Sequence, residues 1–128
     1  MSNILTAFND HFMEFLNDVQ GVFPDNVDIL TAKNALLAIK KANPKMIVKI
    51  WKGFIADKYR TQILAGDIDF FINKDYANDV SVNKNSDKIM DSINRLREPI
   101  RNMGAENQAK AMKYIQNLTK LADMCGCD

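Results

Sequence analysis

Histidine, cysteine, proline and glycine are all scarce in this sequence, and each scarcity removes a class of function. His11 is the single histidine among 128 residues. It has no partner one helical turn away and no nucleophile marked out by its context, so a surface or boundary histidine on a helix is the expected role. The two cysteines, Cys125 and Cys127, stand together near the C-terminus. A zinc site would need a second pair of ligands, and a redox pair is normally spaced more widely at a helix N-terminus that lowers the thiol pKa. These two follow an expected helix C-terminus and read as a loose tail of reduced thiols, with intermolecular disulfide capture or thiol modification as the alternative. Such sparing use of cysteine predicts a reducing compartment rather than a stapled secreted domain. The five glycines are scattered singly, so no glycine loop is available to cradle phosphate. No apolar run approaches the roughly 20 residues of a membrane-spanning helix. Met1-Ser2-Asn3-Ile4-Leu5 lacks the basic-then-apolar order of a cleaved signal.

What is present is an ordinary globular composition, 47% hydrophobic and 26% charged, long enough for one domain with its own core. The net charge is +1 but the charges are segregated. Residues 1–32 carry −5, 33–60 carry +7, 61–94 carry −3 and 95–128 carry +2. Neighbouring helices of opposite sign would satisfy one another internally, which is the favoured reading. The alternative is two faces offered to partners.

Apolar spacing and turn residues divide the chain into helices. Ile4, Leu5, Phe8, Phe12, Phe15, Leu16 and Val19 make a stripe on a first helix that Gly21 should stop near Gln20. The aromatic part of that stripe, with Phe23, reads as core, or as a docking surface if exposed. Asp25 or Asn26 caps a second helix reaching about Ala42, with Val27, Ile29, Leu30, Leu36, Leu37 and Ile39 as core candidates. Asn43-Pro44 opens a third helix that runs to Ala65, buries Ile47, Ile50, Trp51, Phe54 and Ile55, and ends at Gly66. Asp67–Ile72 fits one or two helical turns or a short extended piece, and Asn73 to Asn85 reads as a loop. Asn85 or Ser86 caps a helix that Pro99 ends or kinks. A last helix starts near Gly104, and residues 124–128 form a tail. The expectation is an all-α single domain over 1–123, a compact bundle of about five helices plus a short one, without a sheet.

Few constellations carry chemistry. Asp67-x-Asp69 has no supporting acidic cluster. Asn83 to Asp87 begins like a calcium loop but has Lys88 where glycine is required and Asn94 in place of the closing glutamate. Asn117-Leu118-Thr119 matches a glycosylation acceptor but falls inside a helix. No metal, cofactor or enzymatic activity is therefore expected. The remaining feature is basic: Lys45, Lys49 and Lys52 share one face of the third helix, with Lys40 and Lys41 upstream and Arg60 downstream. These six residues are the candidate interaction site. Lysines in a stripe neutralise phosphates, but arginine, the usual reader of base edges, is nearly absent there. Arg95, Arg97 and Arg101 form a second basic set around Pro99. Contact with other proteins ranks ahead of nucleic acid.

Phe8-Asn9-Asp10-His11-Phe12-Met13-Glu14-Phe15, Val22-Phe23-Pro24-Asp25-Asn26 and Asn43-Pro44-Lys45-Met46-Ile47 with Ile50-Trp51-Lys52 resemble parts of small helical proteins of large double-stranded DNA viruses of algae and amoebae. Gly66-Asp67-Ile68 with Phe70-Phe71, and Tyr114-Ile115-Gln116-Asn117-Leu118, extend the resemblance over nearly the whole chain. No catalytic motif comes with it. It implies a viral protein of the host cytoplasm or the virion, binding capsid proteins or itself, with a nucleic-acid or transcription-linked role as the alternative.

Overall fold

The computed structural model describes residues 3–72 and 84–125, and every element among them is helical. In order they are α1 (Asn3–Val22), α2 (Val27–Ala42), α3 (Met46–Trp51), a π turn (Lys52–Ala56), α4 (Asp57–Ala65), α5 (Asp69–Ile72), α6 (Lys84–Arg101) and α7 (Ala105–Cys125). The third helix of the sequence is therefore one rod in three parts, α3, the π turn and α4. That rod with α1, α2, α6 and α7 makes five long elements, and α5 is the short sixth. The expected all-α bundle is the architecture found.

The aromatic stripe of α1 lies inside. Phe8, Phe12, Phe15, Leu16 and Val19 are all buried, and Phe23 packs partly buried against the same cluster. α1 runs along α7 and α2 along α6, the two most extensive pairings, and the α3–α4 rod bridges these pairs. Trp51 sits where they meet. Its ring is 6.4 Å from Phe8 and 5.9 Å from Phe12, both edge-on. The indole Nε1 donates to Thr119 Oγ1 on α7 at 3.2 Å, and that hydroxyl donates to the Ile115 carbonyl at 2.9 Å. A buried indole N–H without an acceptor would cost about 1–3 kcal/mol, so Thr119 lets the largest side chain of the chain enter the core. Thr119 is thereby buried, which removes the glycosylation reading of Asn117-Leu118-Thr119.

The helix ends follow local chemistry with some differences. Asn26 caps α2, its Oδ1 accepting from Ile29 N at 3.0 Å. Gly66 ends α4 in the left-handed region at φ 75°, and Asp67 N returns to the Gln62 carbonyl at 2.9 Å. Gly21 does not stop α1, which continues to Val22, and Pro99 lies inside α6 rather than ending it. Asn43-Pro44 closes α2 and forms a turn rather than the first residues of α3. Asn43 Oδ1 accepts from Lys45 N at 3.2 Å, the short return of an Asx turn. Two core expectations on α2 are corrected: Val27 is 72% exposed and Leu30 45% exposed, while Ile29, Ala32 and Leu36 face inward. The loop expected from Asn73 to Asn85 ends earlier, since α6 begins at Lys84 and takes in Asn85 and Ser86, the expected caps; residues 73–83, and the side chains of the calcium-like segment through Asp87, lie outside the described residues.

Candidate interaction surface

The last turn of α2 carries Lys40 and Lys41, and Lys45 follows the Asn43-Pro44 turn just ahead of α3, so three lysines meet at one corner. The turn is anchored to α1, where Asn9 Nδ2 donates to the Pro44 carbonyl at 2.9 Å. Lys41, Lys45 and Lys49 are exposed and Lys40 half-exposed. None of these four makes an ion pair among the described residues. Lys49 continues the corner toward the π turn, where an open cleft of about 450 Å³ is lined by Lys49, Lys52, Gly53 and Asp57. A side chain at Gly53 would meet nothing within 4 Å, so the backbone itself is open to a partner there. π turns inside helices are frequent at functional positions.

The other two candidates belong elsewhere. Lys52 is half-buried and already engaged. Arg60 is held by two carboxylates, Asp57 at 3.2 Å and Asp123 of α7. The second basic set is also structural. Arg95 pairs with Asp28 of α2 at 2.9 Å and Asp91 at 3.1 Å. Arg97 is only 6% exposed, donates to the Phe71 carbonyl at 2.7 Å and lies 4.3 Å over the Phe71 ring. Arg101 donates to the Ile72 carbonyl at 3.0 Å. These two arginines tie the short α5 to α6. Every arginine of the chain thus works inside the fold or along its seams, and the free cations of the corner are lysines.

The internal neutralisation expected between acidic α1 and basic α3 takes a different form. Asp18 of α1 turns to Lys110 of α7 at 3.6 Å, and Glu14 to His11 Nδ1 at 3.1 Å. Asp18 is thus taken up by α7 and Glu14 by a neighbour on α1 itself, and neither pairs with the lysine corner.

His11 is half-buried, its ring 4.8 Å from Tyr114, beside a cleft of about 250 Å³ lined by His11, Lys110, Lys113, Tyr114 and Asn117. Its Nε2 is buried and unpartnered. Burial, with Asp18 and Glu14 nearby, raises the Tyr114 pKa, so that phenol stays protonated at neutral pH. The described lining of this cleft includes no serine, threonine or cysteine, and no group of His, Cys, Asp and Glu suited to a metal occurs among the described residues. Asp67 Oδ1 accepts from Asp69 N at 3.0 Å, which gives that pair a local role at the start of α5. Cys125 lies within α7 and is disulfide-bonded, which corrects the expectation of a reduced thiol; Cys127 lies outside the described residues. No described helix is long and apolar enough to cross a membrane. Comparison with known protein families, curated sequences and solved structures gives no match to this chain.

Proposed function

We propose that the protein is a non-enzymatic interaction protein that docks an acidic surface of another protein through Lys40, Lys41, Lys45 and Lys49. The observation that carries this reading is that these four lysines make no ion pair among the described residues, while Asp18 and Glu14 of α1 have other partners. Lysine ammoniums are compact, strongly hydrated charges that tolerate variable geometry, unlike the planar fork of arginine. They suit an extended acidic surface better than the edge of a base. The likeness to proteins of large DNA viruses supports taking that partner to be a capsid or other virion protein. A fixed copy number in purified virions, resistant to salt washing, is the expected result, and absence from particles would contradict it.

A second reading has the same lysines on the phosphates of a nucleic acid, without sequence reading, since the arginines are occupied. Polyglutamate and duplex DNA serve as probes for the two. Each exposed pair contributes about 0.2–1 kcal/mol, so Lys45→Glu with Lys49→Glu should weaken polyglutamate binding about tenfold or more. Binding unchanged by the double reversal would rule out the corner. Tighter, steeply salt-dependent binding of DNA would favour the second reading.

A further inference from the structure

The second helix is apolar on two opposite faces. Ile29, Ala32 and Leu36 point into the core. On the far side stand Val27, 72% exposed, and Leu30, 45% exposed, with Leu37 half-buried and outside the core cluster. Val27, Leu30, Asn34, Leu37 and Lys41 follow one another in alternating steps of three and four, the spacing of a helix-pairing seam. A solvated helix face normally carries charge, yet this one carries none before Lys41. The two charged residues among 27–39 are turned sideways: Asp28 to Arg95 at 2.9 Å and Lys33 to Gln20 at 2.8 Å.

We propose that this seam is the interface of a symmetric dimer, in which α2 of one copy packs antiparallel on α2 of a second copy. The direction follows from charge. Asp25 stands just ahead of the N-terminus of α2, where Asp28 is held by Arg95, and the C-terminal end carries Lys40 and Lys41. A parallel pair would set Lys41 against its own copy. An antiparallel pair brings each Lys41 toward the second copy's Asp25 and each Val27 onto the second copy's Leu37. It also opposes the helix dipoles favourably. The seam is short, about 24 Å for 16 residues, and Asn34 stands at its middle, so the dimer is weak and reversible.

The inference rests on the apolar seam, not on the docking reading, and the two share only Lys40 and Lys41. Sedimentation or light scattering over a concentration series should show the mass rising from one chain toward two. Leu30→Glu, at an exposed position, should keep the helical circular dichroism and weaken dimerisation about tenfold or more. Lys41→Glu should weaken it less, and adding Asp25→Lys should restore it. A monomer at every concentration, or a dimer indifferent to Leu30→Glu, would overturn the proposal; failure of the charge swap to rescue would overturn the antiparallel arrangement. Leu30→Glu should leave polyglutamate binding intact, and Lys45→Glu with Lys49→Glu should leave the dimer intact.

Discussion

At the scale of single residues, two side chains hold more of the fold together than their numbers suggest. Trp51 contributes both a large apolar surface and a donor that must be satisfied, and Thr119 meets that donor from a different helix. Trp51→Phe should lower stability by about 2–3 kcal/mol, from lost packing together with a Thr119 left without its donor partner. Denaturant unfolding measures this, and a change under about 0.5 kcal/mol would mean that the core relaxes around the site. Arg97 is the second case. Its guanidinium donates to the Phe71 carbonyl and to Asn94 Oδ1 at 2.7 Å each. Methionine there would fill similar space but leave the carbonyl unpaired, at a cost of about 2–4 kcal/mol. Faster amide exchange around Phe71 and Ile72 is the accompanying sign to look for. Neither role was visible in the sequence, where Arg97 looked like part of a surface basic set, because nothing local marks an arginine that reaches a carbonyl 26 positions away.

At the scale of elements, the turns were legible where one residue's own chemistry decides. Gly66 is such a case: its φ of 75° strains any side-chain-bearing residue. Gly66→Ala should cost about 1 kcal/mol in thermal or chemical unfolding, and no cost would show that the cap relaxes to another conformation. Asn26 was legible for the same reason, since a short side-chain acceptor ahead of an apolar run caps a helix wherever it occurs. Gly21 and Pro99 each fall in the last turn of their helix, which runs on to Val22 and Arg101 respectively. The π turn at Lys52–Ala56 leaves no mark in spacing, since it adds a single residue to one turn. On α2 the apolar residues were recognised, but their two faces were merged into one core list. Separating Ile29, Ala32 and Leu36 from Val27, Leu30 and Leu37 by angle around the helix would have revealed the second face.

At the scale of the molecule, the segregated charge of the sequence reappears as a pattern of occupied and unoccupied groups. Asp18 of α1 finds its cation on α7, Asp28 of α2 finds Arg95 on α6, and the lysines around the α2–α3 turn find none among the described residues. The candidate lysines could be read from the sequence, but which of them are free could not. Lys52 is engaged, and Arg60 left the set through a contact that only the assembled bundle makes, with Asp123, 63 positions away. If the α2 seam pairs two copies antiparallel, each dimer displays two such corners at opposite ends of the seam. A repeating acidic surface would then bind it more tightly than a single acidic site does.

The most direct measurement is a titration of labelled polyglutamate with the wild-type protein and with the Lys45→Glu, Lys49→Glu variant, at two salt concentrations. The account predicts wild-type binding that weakens with salt, and a variant about tenfold or more weaker with an unchanged helical spectrum. Equal binding by the two proteins at the lower salt concentration would contradict it.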